Sequence, residues 1–324
     1  MRIHANDGIS KSAIARLQEE GFTVTADHVP QDALAAYVNK EQVDVLLVRS
    51  ATKVRHDLLD ACPGLRLIGR GGVGLDNIDV AHAKGKGVRV VNTPASSSIS
   101  VAELVMAHIT GLMRNLHQAN RRMPAEGRTH FKELKKEFEK GTEVRGKTLG
   151  IIGFGRIGQW TARYALGVGM KVVYTDNRAT AESIELEIGG QVVRVGVKLV
   201  TLDELLAMSD AISLHVPAQA DGKPVLGPAE LAKVKPGAVI INTARGGSVD
   251  EDALLAALNE GRVKAAALDV FTNEPTPRED LLAHPRISLS PHIGAATAEA
   301  QGRIGDELCD LIIAFRDQLA AQQA

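Results

Sequence analysis

Short apolar runs alternate with amphipathic stretches along almost the whole chain, the rhythm of an α/β protein whose parallel strands are buried beneath helices. Runs at 2–5, 23–25, 44–48, 66–69 and 88–91 predict strands, and the stretches 12–20, 31–39, 56–61 and 80–86 predict the intervening helices. These form one small α/β unit. The loop Thr93-Pro94-Ala95-Ser96-Ser97-Ser98 then leads into a long helical pattern with apolar residues at Val101, Leu104, Val105, Ile109, Leu112, Met113 and Leu116. Ser100 and Glu103 read as a capping box at its start. The highly charged stretch 121–145 reads as a solvated face or loop, with a subunit-contact arm as the other reading. A second strand series is predicted at 148–152, 171–175, 197–200, 211–216, 238–242, 264–270 and 287–289. The last helical stretch, 296–319, has no strand after it with which to start a third unit, and is expected to return to the first.

Composition narrows the picture. A chain of 324 residues is long for one domain of roughly 100–150, in line with two units. Thirty-eight Lys and Arg against 39 Asp and Glu leave a net charge of -1, without the basic excess expected of a nucleic-acid or membrane-surface protein. Cys62 and Cys309 are the only cysteines, so neither a disulfide framework nor a cysteine-based metal site is expected, and a reducing cytoplasm is the default compartment. The opening MRIHANDGIS has no signal-peptide core, and no run of about 18 apolar residues occurs. With aromatic residues at 3%, the cores must be built from Ala, Val, Ile and Leu.

Candidate chemistry begins at Gly153-Phe154-Gly155-Arg156-Ile157-Gly158, which follows an apolar strand and opens a helix, the context a dinucleotide fingerprint requires. Gly153 permits the turn, Gly155 lets a pyrophosphate approach the backbone, and Gly158 allows close helix packing. The next strand ends in Asp176, where a carboxylate can accept from ribose hydroxyls and repel a 2′-phosphate. NAD is therefore expected over NADP, although Arg178 partly offsets that repulsion.

Three further residues follow strands of the second unit: Arg245 in NTARGG, Glu274 in DVFTNEP and His292 in SPHIG. A guanidinium at that edge suits a substrate carboxylate, and an imidazole oriented by a carboxylate suits proton removal from an alcohol near neutral pH. Singly, His292 or Glu274 is more often structural, and Arg245 alone is as well read as a surface or dimer salt-bridge arginine.

Together these motifs identify the chain as similar to the NAD-dependent D-2-hydroxyacid dehydrogenases, over nearly its whole length. The resemblance implies two Rossmann-like, doubly wound parallel-sheet domains separated by a cleft. The outer, substrate-binding one would be discontinuous, 1–97 with 296–324, and the NAD-binding one would span 98–295. It assigns Arg245 to the substrate carboxylate, His292 to acid/base catalysis and Glu274 to its support. Arg156, Ile157, Val216, Thr243, Ala244, Asp269, Gly294 and Ala295 would join Gly153, Gly155, Gly158 and Asp176 around NAD. No metal is implied.

Within the family the first-domain motifs VRSATKV, GRGGVGLDN and VNTP most resemble the branch that oxidises D-3-phosphoglycerate on the way to serine. Backbone N–H groups at Val73 and Gly74 would then meet the carboxylate, while Arg49, Ser50, Arg70 and Lys53 would hold a phosphate; the bland reading is that the arginines cap strand ends and pair with acids. Another 2-hydroxy acid, such as glycerate, lactate or a longer acid, and an NAD-sensing co-repressor-like protein remain as alternatives. Longer members carry a C-terminal regulatory domain, so feedback by serine through one is not expected here. The segment 217–224 departs from the family's usual loop. The resemblance also implies a homodimer in which 100–145 crosses to the partner, bringing Arg128 or Lys132 towards the neighbouring active site.

Overall fold

In the computed structural model, which describes residues 1–323, the alternating pattern becomes two parallel sheets flanked by helices. One compact unit comprises Met1–Ser98 and the chain from Ala295 onward; the other is Ile99–Gly294. The first runs β1 (Arg2–Ala5), α1 (Lys11–Glu19), β2 (Thr23–Thr25), α2 (Leu34–Lys40), β3 (Val45–Val48), α3 (His56–Ala61), β4 (Leu67–Arg70), α4 (Val80–Gly85) and β5 (Arg89–Asn92). Next come α5 (Ser98–Met113), α6 (Leu116–Glu126), α7 (Phe131–Phe138), β6 (Thr148–Ile152), α8 (Arg156–Gly167) and β7 (Lys171–Thr175). A hairpin of β8 (Ser183–Ile188) and β9 (Gln191–Gly196) precedes β10 (Lys198–Leu199), α9 (Leu202–Met208), β11 (Ala211–Leu214), α10 (Pro228–Leu231) and β12 (Ala238–Asn242). The chain ends with α11 (Glu251–Asn259), β13 (Val263–Leu268), α12 (Glu279–Ala283), β14 (Ile287–Leu289) and α13 (Ala298–Gln323).

The first sheet has the order β2-β1-β3-β4-β5, reversing direction between β1 and β3. The second has the order β10-β7-β6-β11-β12-β13-β14, with its reversal between β6 and β11. At such switch points the loops leaving the strands diverge and open a crevice at the carboxyl edge. Each sheet is apolar on both faces because helices cover both. In the first unit Leu46 and Ile68 pack with Leu34, Leu58 and Leu59, while Ile3, Val45 and Leu67 pack with Leu17, Ile304, Leu308 and Ile312. Burying each such side chain is worth about 1.5–3 kcal/mol. Cys62 and Cys309 are buried and free. Among the described residues no helix is long and apolar enough to cross a membrane.

Several local expectations need correcting. The long helix begins at Ser98, two residues early, so Ser100 lies within the first turn rather than at a cap. Glu103 accepts the Tyr164 hydroxyl at 3.0 Å instead of closing a capping box. The charged stretch 121–145 is solvated as expected but is not a loop: much of it lies in α6, which buries no side chain, and α7, with Arg122 pairing with Glu126 on its own helix and Glu137 on the next. Between β7 and β10 a hairpin replaces the helix usual in a parallel crossover. Its Ile184 and Leu186 are buried while Glu185 pairs with Arg194 outside. The strand expected at 197–200 shortens to Lys198–Leu199, and that at 211–216 ends at Leu214.

Candidate active site

The glycine-rich turn leaves β6 at the switch point of the second sheet. Gly153 has φ +92°, and a Cβ there would stand 2.7 Å from His215 O and 2.8 Å from Val216 Cγ1, so only glycine fits. A Cβ on Gly158 would stand 2.2 Å from Gly153 O, which is how closely α8 packs on the turn. Gly155, the N-cap of α8, faces open space: nothing lies within 4 Å of a Cβ built there. Two glycines therefore serve the fold and the middle one leaves room for a ligand, beside the exposed Arg156 and half-buried Ile157. The first N–H groups of a helix and its dipole favour an anion in that room.

Asp176 follows β7. Its carboxylate accepts from the backbone N–H of Phe154 at 2.6 Å, Arg178 at 2.7 Å and Ala179 at 2.8 Å. Burial works against its charge, but the N–H groups of Ala179, Arg178 and Phe154 outweigh it and hold the carboxyl below its ordinary range. The charge is thereby fixed beside the glycine turn.

Beyond β12, Asn242 shapes the next loop: its side chain accepts from Ala244 N at 3.1 Å and donates to Arg245 O at 2.9 Å. Thr243 Oγ1 is buried and finds no hydrogen-bond partner among the described residues. An orphaned hydroxyl costs stability unless a ligand completes it, so this atom, the open face of Gly155 and the charge on Asp176 all fit a bound dinucleotide. Arg245 is half-buried, with Nη1 donating to Ala244 O at 2.6 Å.

Glu274 and His292 lie on loops after the neighbouring strands β13 and β14. Glu274 Oε1 accepts from Phe271 N at 2.9 Å, and Oε2 stands 2.8 Å from His292 Nδ1. A carboxylate there assigns the imidazole proton to Nδ1 and leaves Nε2 bare as an acceptor. Both side chains are partly exposed, 42% for His292 and 37% for Glu274. His292 has φ +54°, a conformation few residues other than glycine adopt. Asp269, 1% exposed, holds this turn: its carbonyl accepts from His292 N at 2.8 Å, Oδ1 accepts from Ile293 N and Oδ2 from Gly294 N, both at 2.9 Å. The carboxylate expected among the residues around NAD is thus also the scaffold of the histidine turn. Gly294 is buried against it, and the carbonyl of Ala295 accepts from Gln301 Nε2 at 2.9 Å.

In the first unit, Arg49 and Ser50 follow β3, Arg70 ends β4, and Val73 and Gly74 lie in the next loop, all at the carboxyl edge. Asp7, after β1, fixes the Arg49 turn: Oδ2 accepts from Arg49 N at 2.6 Å and Thr52 N at 3.1 Å, and Oδ1 accepts from Thr52 Oγ1 at 2.6 Å. Asn77 Nδ2 holds the same turn from the other side through Arg49 O and Thr52 O. Asp7, a short polar residue in a loop, did not stand out in the sequence, and Asn77 did so only as the last residue of GRGGVGLDN, with no role assigned. The Arg49 guanidinium is left with no ion pair among the described residues. Arg70 lies over Gly72, where a Cβ would stand 1.5 Å from its Nη1. Val73 is 36% exposed. Lys53 is exposed, its backbone paired with Gln31, and Arg128 and Lys132 are exposed around the start of α7.

Comparison with known proteins agrees with this chemistry. Residues 106–294 match the NAD-binding domain of the D-isomer-specific 2-hydroxyacid dehydrogenases. The chain is 43% identical over 315 residues to a hydroxypyruvate reductase of Thermotoga maritima, covering 96% of this chain and 97% of that one. It is 40% identical over 313 residues to a D-3-phosphoglycerate dehydrogenase of Methanocaldococcus jannaschii, covering 96% of this chain but 57% of that longer protein. Among solved structures, D-lactate dehydrogenase of Aquifex aeolicus, complexed with NAD and lactic acid, superimposes with a TM-score of 0.78 at 29% identity, over 99% of this chain and 97% of that one. The α/β fold, the dinucleotide turn and these matches together place the chain in the D-isomer-specific 2-hydroxyacid dehydrogenase family, as an oxidoreductase that uses NAD on a small-molecule substrate.

Proposed function

We propose that the chain oxidises D-3-phosphoglycerate to 3-phosphohydroxypyruvate, the entry to serine synthesis. The observation that carries this reading is Arg49: its backbone is tied on both sides while its guanidinium is left without an acid among the described residues. A guanidinium held at a strand end with Arg70 on the adjacent strand suits a dianionic phosphate. Ser50 and the N–H groups at Val73 and Gly74 add donors for the phosphate and carboxylate.

In this reading Arg245 takes the substrate carboxylate and orients the hydroxyl carbon. His292 Nε2 accepts the hydroxyl proton, and Glu274 at Nδ1 stabilises the imidazolium that results. When bound, NAD supplies the hydride acceptor. Gly153, Gly155, Gly158, Arg156, Ile157, Val216, Thr243, Ala244, Asp176, Asp269, Gly294 and Ala295 hold it in this proposal. Two copies pair through the α5–α7 region, where Leu116 is 62% and Phe131 58% exposed; a monomeric mass by light scattering at micromolar concentration would remove that part. Free buried thiols suit a reducing cytoplasm.

A second reading, reduction of hydroxypyruvate to glycerate, is favoured by the full-length match to the hydroxypyruvate reductase. The test is NADH oxidation by the purified protein on 3-phosphohydroxypyruvate, hydroxypyruvate, pyruvate and glyoxylate at equal concentration. Preference for the phosphorylated acid, lost in Arg49→Glu with weaker substrates spared, supports the first reading. Preference for hydroxypyruvate, indifferent to Arg49→Glu, replaces it with the second.

A further inference from the structure

His108 stands on α5 in the company of Val105, Ile109 and Leu112, all fully buried, and is itself 8% exposed. A polar ring in that setting needs partners. It has two: Nδ1 lies 3.2 Å from Ser288 Oγ, and Nε2 lies 3.2 Å from Ser290 Oγ. Both serines belong to the segment that runs from β14 into the His292 turn. Ser290 Oγ donates to Asp269 Oδ1 at 2.6 Å.

That last bond fixes the protons along the row. The Ser290 hydroxyl gives its proton to the carboxylate and so accepts from His108 Nε2–H. The bare Nδ1 then accepts from Ser288. Burial, the dominant influence, holds the His108 pKa below its ordinary value and favours this neutral ring, while the charge of Asp269 opposes it. Asp269 in turn receives the N–H groups of Ile293 and Gly294 on its carboxylate and that of His292 on its carbonyl. A non-glycine residue at φ +54° is strained and persists only where its surroundings over-determine it.

We propose that His108 is a positioning residue for the dehydrogenase reaction, acting through Ser290 and Asp269 to lock the strained turn that aims the imidazole of His292. The inference rests on the reading of His292 as the acid/base. His108 touches neither substrate nor cofactor in this role. It sets where the bare Nε2 of His292 sits, and a misplacement of about 1 Å in such a group costs on the order of a hundredfold in rate. A ring that merely filled space would be replaceable by an apolar side chain of similar size.

The experiment compares His108→Leu, which keeps apolar volume, with His108→Gln, which restores a donor and an acceptor. The same assays include Ser290→Ala, the double variant and His292→Asn. Expected for His108→Leu is a fall in kcat of about tenfold to a hundredfold with little change in KM for NADH. Most of it should be recovered in His108→Gln, and Ser290→Ala should add little in the Leu background because both cut the same row. An activity-independent readout is the proton on His292 Nδ1, followed by NMR in protein labelled with nitrogen-15. It should exchange slowly in the parent and in His108→Gln, and fast in His108→Leu. Wild-type kcat in His108→Leu, or a Gln variant no better than Leu, overturns the positioning role. If the Leu variant does not fold, Ser290→Ala decides: an unchanged kcat and Nδ1 proton overturns the proposal, and a loss of both upholds it. Undiminished turnover by His292→Asn would instead overturn the acid/base reading itself.

Discussion

A Cβ built on Gly246 would stand 1.9 Å from the carbonyl oxygen of Phe271, so the turn carrying Arg245 and the loop carrying Glu274 meet backbone to backbone. Phe271 N also donates to Glu274 Oε1. A side chain at 246 must displace the Phe271 backbone, and with it the bond that Phe271 N gives Glu274. Gly246→Ala is expected to lower kcat by about a hundredfold while NADH still binds, as measured by fluorescence titration. Unchanged kcat would show that the two loops need not touch.

Asp7 is expected to matter for substrate binding although it lies behind the Arg49 turn. Asp7→Ala leaves the N–H groups of Arg49 and Thr52 without their acceptor, a loss of about 1–3 kcal/mol per buried donor. Under the proposed function, KM for 3-phosphohydroxypyruvate should rise about tenfold or more, with kcat and KM for NADH little changed. Steady-state kinetics on the purified variant check this, and an unaltered KM would detach the Arg49 turn from substrate recognition.

Asp176 holds its charge at the end of β7 and binds three backbone N–H groups. Asp176→Ser should weaken NAD by about tenfold to a hundredfold and admit NADP, to which Arg178 then offers a positive partner. Measured kcat/KM for the two cofactors gives the answer. A variant that still rejects NADP would mean discrimination lies elsewhere.

Acid should destabilise the protein well above the carboxylate range. Burial pushes the imidazole of His215 down to about 3 and, assisted by Arg121, that of His117 down to about 4. Unfolded histidine titrates near 6.5. Between these values the unfolded chain binds protons that the folded one refuses, so the stabilisation is complete above about pH 6.5 and is lost progressively as pH falls towards 4 and 3. Each proton contributes a slope of about 1.4 kcal/mol per pH unit. Urea unfolding at pH values from about 7.5 to 4.5 should show it, and His117→Leu should remove one proton of slope. An unchanged slope would mean that His117 ionises freely in the folded chain.

The fold class was legible because parallel strands covered on both sides are continuously apolar and short, as in 148–152 and 238–242. The closeness of Glu274 and His292 was legible for a related reason, since residues just beyond adjacent parallel strands emerge at one edge. The hairpin was not, although its signal was present: Ile184, Leu186 and Ile188 alternate with polar residues before Gly189-Gly190. An α/β rhythm sets up the expectation of a helix there. Nor were α6 and α7, whose ion pairs through Arg122 join side chains 15 residues apart. The scaffolding of Asp7, Asn77 and Asp269 was equally hidden, since a carboxylate that accepts backbone N–H groups leaves no periodic trace.

Helix α13 carries Leu308, Ile312 and Phe315 into the same core as Ile3, Val45 and Leu67. On the ribosome those strands emerge before that helix, with residues 99–294 made in between, which takes roughly 10–40 s at about 5–20 residues per second. Through that interval one face of the first sheet stays bare and sticky, and the chain's second unit completes its own core before the first can. The unit whose strands are made before residues 99–294 thus matures after the unit those residues form, and it is there that a chaperone has the longest opportunity to act.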